Sequence, residues 1–406
     1  MAQQPLSRPL TRVAPPPRSE GTSVGAKRLV FPAHGDGVEV PFRLDRSKIV
    51  VPVRVNGSEP LDFVLDSGAS TAYLGTNPGI SLDIVGMGQV RGAGSGGDRL
   101  IEMASNVTFG LGEVELQGNS LAVETGGEAF GALAGTGWDG IFGRQLFEHL
   151  VVEVDWPREI LRLYEPGHHA VPKEASVLPL ELARGHAFVR AEVALDGGPP
   201  RPVRLVLDTG ARHALALAPG SGGFEPPKHH LPDVLLGHGL AGPVRGAVGR
   251  LDSLRLGQFD LEGVVVHFPE EALAPIITSQ SDGNLGSEIL CRFVTTFDYP
   301  NQRLILQPSV GLRDPFPFSH AGFRVHHRLG DDHSASIDDV LPQSPAARAG
   351  LRVGDRVLEL DGRTMGDFGS DAFLQRLSGP PGAEVRLKIA RDQDVRELVL
   401  QLETLL

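Results

Sequence analysis

The sequence predicts a mainly β protein made of two copies of one lobe, followed by a smaller α+β domain. Three observations favour this organisation: a turn-rich composition, an internal repeat, and a change of pattern near residue 313. The chain has 406 residues, which corresponds to about three domains at roughly 150 residues each. It holds 51 Gly and 32 Pro but only 3 Tyr and 2 Trp. Many turn residues between β-branched runs are typical of a β-rich chain.

The composition also excludes several classes of function. With 38 Lys and Arg against 50 Asp and Glu, the formal net charge is −12, and such a surface repels nucleic-acid phosphates and anionic lipid. No apolar run reaches the roughly 18 residues of a membrane-spanning helix. A single cysteine, Cys291, excludes an internal disulfide and a cysteine-based zinc site. We therefore expect no nucleic-acid partner and no integral membrane segment.

Residues 1–37 are predicted to form a flexible leader, because five prolines lie between Pro5 and Pro17 and proline-rich segments are extended. The leader lacks the apolar stretch of a signal peptide. Two interpretations stay open. It is a natural tail of a cytoplasmic protein, or it is what remains after removal of an export signal from a periplasmic or secreted one.

The internal repeat relates residues 139–163 to residues 282–306 at an offset of 143. Each copy begins with Asp-Gly-x-x-Gly, continues as a short helix with one apolar face, and ends as two strands joined by an Asp-aromatic-Pro turn. The repeat predicts a first lobe over 38–170 and a second over 171–312, which leaves 313–406 as a separate domain.

Upstream, the repeat contains a second element, an Asp-Ser/Thr-Gly turn at the end of an apolar strand. Asp66 ends the strand that begins at Leu61, and Asp208 ends the one that begins at Val203, at an offset of 142. One such turn alone is ordinary β-turn chemistry. Two copies at equivalent positions of duplicated lobes indicate a paired site.

These turns, together with Gly140-Ile-Phe-Gly143 and Gly283-Asn-Leu-Gly286, resemble the pepsin/retropepsin family of aspartic proteases. The resemblance covers both lobes, whose lengths are closer to a retropepsin subunit than to a pepsin lobe. It implies two acid-protease β-barrel lobes with pseudo-twofold symmetry, paired within one monomer. Dimerisation of each lobe with a second chain is the less economical alternative.

The resemblance implies that Asp66 and Asp208 are catalytic and activate a water against a peptide bond. Two carboxylates about 4 Å apart repel by about 4 kcal/mol at an effective dielectric constant near 20, so the pair would share one proton. The supporting residues implied by the resemblance are Ser67, Gly68, Thr209 and Gly210. We expect an aspartic-type endopeptidase that acts on protein or peptide substrates without a metal or an organic cofactor.

Three departures from the family pattern bear on this expectation. Ala69 and Ala211 follow the turns, where pepsins carry a hydroxyl residue, which predicts a less acidic pH optimum. Asn284 replaces an apolar residue, and Arg212 and His213 follow the second turn. A catalytically inactive peptide-binding or scaffold protein on the same fold therefore stays open as the alternative.

Residues 344–362 resemble a bacterial PDZ domain: Ser-Pro-Ala-Ala-Arg-Ala-Gly is followed by Leu-Arg-Val-Gly-Asp and then by an Asp-Gly turn. The resemblance implies that Gly322 and Phe323 begin a carboxylate-binding loop and a strand that captures a peptide C-terminus. Phe373 and Leu377 lie one helical turn apart and would form the other wall of the groove. A purely structural place in the core is an equally good interpretation of these two side chains.

The glycine-rich segments 86–97 and 236–242 lie where flap hairpins over a substrate would be. A surface loop without substrate contact is the alternative. The histidine pairs at 168–169, 229–230 and 326–327 lack the spacing of metal ligands, so we expect them in exposed turns and loops and predict no metal site.

Overall fold

The computed structural model describes residues 27–32, 37–45, 47–75, 86–94, 97–123, 137–218, 220–238, 243–270, 280–327, 334–365 and 370–406. Within these ranges the chain forms 31 strands, four short α-helices and one 3-10 turn at Ser221–Gly223. Most of the predicted leader lies outside the described residues. Among the described helices, none has the length and apolar character needed to cross a membrane.

The first part of the chain contains twelve strands and one helix. They are β1 (Arg28–Val30), β2 (Val38–Pro41), β3 (Arg43–Asp45), β4 (Lys48–Val55), β5 (Leu61–Leu65), β6 (Ala72–Leu74), β7 (Gly86–Gly94), β8 (Gly97–Leu111), β9 (Val114–Val123), β10 (Gly140–Phe142), α1 (Arg144–Phe147), β11 (Val151–Asp155) and β12 (Ile160–Tyr164).

The second part contains thirteen strands and one helix. They are β13 (Ser176–Pro179), β14 (Glu181–Ala183), β15 (His186–Ala194), β16 (Arg201–Asp208), β17 (Leu215–Leu217), β18 (His230–His238), β19 (Pro243–Arg250), β20 (Ser253–Leu256), β21 (Phe259–Glu262), β22 (Val265–Pro269), β23 (Gly283–Gly286), α2 (Ser287–Leu290), β24 (Phe293–Asp298) and β25 (Arg303–Pro308).

The C-terminal part contains six strands and two helices. They are β26 (Phe323–His327), β27 (Ala335–Val340), α3 (Pro345–Arg348), β28 (Arg356–Leu360), β29 (Arg363–Thr364), α4 (Ser370–Leu377), β30 (Glu384–Arg391) and β31 (Asp394–Gln401). The prediction of a mainly β chain is therefore confirmed.

Four sheets organise these strands. The first sheet has the order β1-β9-β6-β10-β5-β4-β8-β7, with β3 on β4. The second sheet has the order β18-β19-β22-β17-β23-β16-β15-β20-β21, with β14 on β15. The C-terminal sheet has the order β26-β27-β28-β30-β31, with β29 on β28. The bridging sheet takes strands from both earlier parts, in the order β13-β25-β24-β11-β12-β2.

The first and second sheets repeat one pairing scheme around their Asp turns. Strand β5 is parallel to β10, with Phe63 opposite Gly140, and β16 is parallel to β23, with Leu205 opposite Gly283. The repeated glycines allow these close approaches: a Cβ on Gly140 would meet the carbonyl of Tyr73, and one on Gly283 would meet that of Ala216. The sequence repeat therefore reflects a steric requirement. The lobe bounds 38–170, 171–312 and 313–406 stay predictions.

The bridging sheet joins the two halves through β11 and β24, which are antiparallel with Val152 opposite Phe297. One hydrophobic core continues through both halves and includes Phe147 of α1 and Ile289 of α2. The C-terminal sheet has its own core, which contains Phe323 and Phe373.

The expectation of exposed turns and loops is wrong in part for all three histidine pairs, since His230 also lies on a strand, β18. The His169 side chain is only 4% exposed and lies 3.1 Å from Glu153. His326 lies on strand β26 rather than in a loop. These environments arise from strand pairing and side-chain contacts, which the spacing of the histidines does not report.

Candidate functional site

The two Asp turns close in the same way at the ends of β5 and β16. The Ala69 N–H donates to the Asp66 carbonyl at 3.2 Å, and the Ala211 N–H donates to the Asp208 carbonyl at 3.3 Å. Both aspartate side chains are half-buried. They are therefore partly removed from water.

A reciprocal hydrogen-bond network ties the two turns together. The Ser67 hydroxyl donates to the Leu207 carbonyl at 2.9 Å, and the Thr209 hydroxyl donates to the Leu65 carbonyl at 2.8 Å. Each backbone N–H donates to the opposite hydroxyl at 3.0 Å. Ser67 and Thr209 are fully buried, so these four bonds hold the turns at a fixed separation.

The glycines of the turns face the opposite carboxyl groups. A Cβ on Gly68 would lie 2.8 Å from the Asp208 carboxyl carbon, and a Cβ on Gly210 would overlap the Asp66 carboxyl group. Each carboxyl group therefore packs against the backbone of the other turn. The structure brings together all six residues predicted for this site: Asp66, Ser67, Gly68, Asp208, Thr209 and Gly210.

This placement perturbs the acidity of both carboxyl groups. Burial and the charge of Asp208 raise the pKa of Asp66 from 3.8 to about 7. Burial also raises the pKa of Asp208, against the opposing effects of Lys48 and of hydrogen bonds. Two like charges at close range do not both ionise near neutral pH. The pair can therefore act as proton donor and proton acceptor at once.

Asn284 makes the pair asymmetric. Its side-chain N–H donates to the Asp208 carboxylate at 2.8 Å, and a bond to the charged form favours ionisation. The equivalent residue of the first half is Ile141, which offers no such donor. We assign the shared proton to Asp66 and the charge to Asp208.

His213 sets the orientation of the Asn284 amide. The Asn284 oxygen contacts the His213 ring nitrogen Nε2, and burial lowers the pKa of His213 to about 4. A neutral ring whose Nε2 faces an oxygen must carry its proton there. The His213 N–H therefore donates to the amide oxygen, and the amide N–H is directed at Asp208.

Lys48 is a site residue that sequence reasoning missed. Its ammonium group donates to the Gly210 carbonyl and lies 5.8 Å from the centre of the Trp138 ring. Its charge lowers the pKa of both Asp66 and Asp208. Lys48 begins strand β4, far from either turn in sequence, so no local motif connects it to the pair.

Two serine hydroxyls lie close to the aspartate pair, and both donate to backbone carbonyls. Ser67 donates to Leu207, and Ser287 donates to Ala211 at 2.8 Å. These two hydroxyls stabilise the turns of the site.

Two hairpins lie at the segments considered as flaps. Strands β7 and β8 pair through Gly94 and Gly97, and β18 and β19 pair through His238 and Pro243. The tips, residues 95–96 and 239–242, lie outside the described residues.

The C-terminal sheet presents a second candidate site along β26. Among the described strands β26 pairs with β27 alone, so no described strand pairs with its other edge. Phe323 and Phe373 contact edge to face, with ring centroids 6.1 Å apart, and together with Leu377 they are buried in the core. Gly322 before β26 has a positive φ of 76°.

Phe323, Phe373 and Leu377 are therefore core residues, and their part in peptide binding stays a prediction. Gly322, Phe323, Phe373 and Leu377 line a cavity of about 820 Å³ between the C-terminal and second sheets. Its opposite wall includes His213 and Ser287.

Comparison with known proteins identifies the C-terminal part. The PDZ domain family matches residues 336–391. The chain is also 44% identical over 68 residues to a curated protein of Halomonas elongata named "Probable periplasmic serine endoprotease DegP-like". That match covers 16% of this chain and 14% of the relative, so the chain spans a small part of the relative's length.

This relative corrects the function expected from sequence. An aspartic-type endopeptidase, with a water activated by Asp66 and Asp208, is contradicted because the curated relative is a serine endoprotease by name. The assignment rested on short turn motifs, and a motif or fold does not by itself determine chemistry. The expected aspartyl protease and retropepsin-like activity is contradicted for the same reason. The coarser conclusion is that the relative is a protease and that this chain carries a PDZ domain at its C-terminus.

Proposed function

We propose that this chain is a PDZ-containing peptide hydrolase whose C-terminal domain docks a peptide next to the cleft between its two halves. The protease name of the curated relative supports the reaction class. A PDZ domain supports peptide binding, because such domains add an extended peptide as a strand to a sheet edge.

The main observation in support of this proposal is the cavity of about 820 Å³. This volume lies within the roughly 300–1,000 Å³ of ordinary ligand pockets. A peptide paired along the outer edge of β26 would lie between Phe323 and Phe373 on one side and His213 on the other. His213 is linked through Asn284 to Asp208, so two hydrogen bonds connect the cavity wall with the aspartate pair.

Within this proposal Asp66 and Asp208 are the candidate catalytic residues, held by Ser67, Gly68, Thr209 and Gly210. Class-specific inhibitors distinguish the enzyme class to which such a hydrolase belongs.

The finer fold that we propose is two retropepsin-like β-barrel lobes with pseudo-twofold symmetry over 38–170 and 171–312, followed by the PDZ domain over 313–406. The duplicated pairing of β5 with β10 and of β16 with β23 supports it. The lobes pair within one chain, so we propose a monomer.

The test is cleavage of a peptide library by the full chain from about pH 3 to pH 8, for the wild type, Asp66→Asn and Asp208→Asn. Both substitutions should lower the rate by about 10²–10⁴-fold, the usual contribution of general acid–base catalysis. Asp394→Asn, at an exposed carboxylate of the C-terminal sheet, is the matched control. Parallel reactions with pepstatin and with a serine-directed fluorophosphonate assign the enzyme class.

Full activity in either active-site variant would overturn the residue assignment. Binding without any cleavage by the wild type would replace the hydrolase with the peptide-binding alternative. Docking is measured separately with a peptide bearing a free C-terminal carboxylate and the same peptide amidated; equal affinities would overturn docking through the C-terminus.

A further inference from the structure

A cluster of two histidines and one aspartate lies where the hairpin β18–β19 meets the C-terminal sheet. The backbone N–H and carbonyl of Leu235 both bind side chains of the C-terminal sheet. The N–H donates to the Asp339 carboxylate at 2.9 Å, and the carbonyl accepts from the Arg324 guanidinium at 3.0 Å. These bonds hold the last residues of β18 against β26 and β27.

As a result, three metal-ligand side chains converge from three different strands. His238 ends β18, His326 lies on β26, and Asp338 lies on β27. One ligand atom from each lies within 4.8 Å of the others, and the two imidazole centroids are 5.5 Å apart. His238 is exposed, while His326 and Asp338 are half-buried.

The Asp338 carboxylate gives an independent indication of a missing ligand. Both of its oxygens are buried, and neither has a hydrogen-bond partner among the described residues. The Arg324 guanidinium approaches to 3.6 Å, which is longer than a hydrogen bond. A buried carboxylate without hydrogen bonds is costly, and a bound ion is one of the standard explanations of such a group.

We propose that His238, His326 and Asp338 bind a divalent transition-metal ion of the zinc class, with solvent in the fourth position. Two imidazoles and one carboxylate suit Zn²⁺, whereas Mg²⁺ and Ca²⁺ prefer oxygen ligands. Zinc bonds of about 2.0–2.2 Å place tetrahedral ligand atoms roughly 3.3 Å apart. Small side-chain rotations would close the remaining distances, most easily at the exposed His238.

The position of this site indicates a structural role. An ion held by β18 on one side and by β26 and β27 on the other would fasten the PDZ domain to the hairpin of the second sheet. It would thereby fix the wall of the cavity that Phe323 lines. His238 and His326 are 88 residues apart in sequence, which explains why ligand spacing did not indicate a metal.

The test is calorimetric titration of the chelator-treated full chain with ZnCl₂, and with MgCl₂ in parallel. The wild type should bind one equivalent of Zn²⁺ and no Mg²⁺. His238→Ala, His326→Ala and Asp338→Asn should each weaken zinc binding at least tenfold. His229→Ala, an exposed histidine just before the same hairpin, is the control and should bind like the wild type.

A second measurement guards against variants that lose binding by misfolding. Zinc should raise the melting temperature of the wild type and of His229→Ala, and leave that of His326→Ala unchanged, with circular dichroism identical in all three without metal. Absence of a stoichiometric zinc site in the wild type would overturn the proposal. Zinc binding by His238→Ala and His326→Ala with wild-type affinity would overturn it as well.

Discussion

The side-chain N–H of Asn284 donates to the Asp208 carboxylate at 2.8 Å, while the equivalent position beside Asp66 is occupied by Ile141. Two turns with nearly the same sequence therefore hold carboxyl groups with different properties. Asp208 is stabilised as an anion, and Asp66 keeps the proton. Substitutions at and around the two turns should reveal this asymmetry and the contacts that produce it.

Replacement of Asn284 by Leu should raise the pKa values of the aspartate pair. The substitution removes a hydrogen bond to a charged group, which contributes roughly 1.5–3 kcal/mol. Carboxyl carbon resonances followed by NMR during a pH titration would measure the change. Unchanged titration of both aspartates in Asn284→Leu would contradict the assignment of the charge to Asp208.

His213 should act on the pair only through Asn284. In His213→Leu the Asn284 amide loses the N–H donor that orients it. The pKa values of the aspartate pair should therefore rise, but by less than in Asn284→Leu. His213→Gln keeps an N–H donor and should restore much of the wild-type titration. The same NMR titration distinguishes these results from general loss of structure, which would shift both variants alike.

Asp66→Asn should flatten the dependence of stability on pH. The pKa of Asp66 is raised in the folded state to about 7, above its unfolded value near 3.9, so the folded state binds more protons between these values. The stabilisation that Asp66 contributes to the folded wild type is fully present below about pH 4 and is lost as the pH rises through about 7. The neutral Asn removes this slope.

Urea unfolding at several pH values between 4 and 8 checks this prediction. Asp394→Asn changes an exposed carboxylate and should keep the wild-type slope. If Asp66→Asn keeps it too, Asp66 does not hold the proton.

Thr209→Val should destabilise the protein by about 1–3 kcal/mol, because it leaves the buried Ser67 N–H and Leu65 carbonyl without partners. Thr209→Ser retains the hydroxyl and should lose much less. Denaturant midpoints of the two variants measure the difference. Equal midpoints would show that the cross-turn bonds contribute little.

Gly68→Ala adds only one methyl group but should lower the stability of the protein, because the added Cβ would lie 2.8 Å from the Asp208 carboxyl carbon. Overpacking of this kind costs typically 1–3 kcal/mol, and here it would also force the carboxyl groups apart. In addition to lower stability, we expect the Asp66 pKa to move towards its ordinary value. Gly237→Ala meets only the end of Arg324, at 3.8 Å, and serves as the control.

The sequence predicts most of the features that the two halves repeat. It predicts few of the contacts between side chains that come from strands distant in sequence. Asp66 and Asp208 are predictable as a pair because each turn follows an apolar strand at a matching place in the repeat. Lys48 comes from neither turn, and it reaches Gly210 because β4 lies beside β5 in the first sheet.

The C-terminal part and the second half show the same difference between features that local sequence predicts and contacts that depend on the fold. The helical turn expected between Phe373 and Leu377 is part of α4 (Ser370–Leu377). In the second half, Asn284 is recognisable from sequence as a departure from an apolar pattern, whereas its contact with His213 follows only from the fold. The aspartic-type activity was wrong because it was carried over from short turn motifs.

The pairing of β11 with β24 has a consequence for how the chain is made. Residues 151–154 find their partners at 295–298, so β11 has an unpaired edge until nearly three quarters of the chain has left the ribosome. Exposed strand edges promote pairing with other chains, and contacts so distant in sequence form slowly. A fragment that ends before β24 should therefore aggregate during synthesis, and the second half acts as the folding partner of the first.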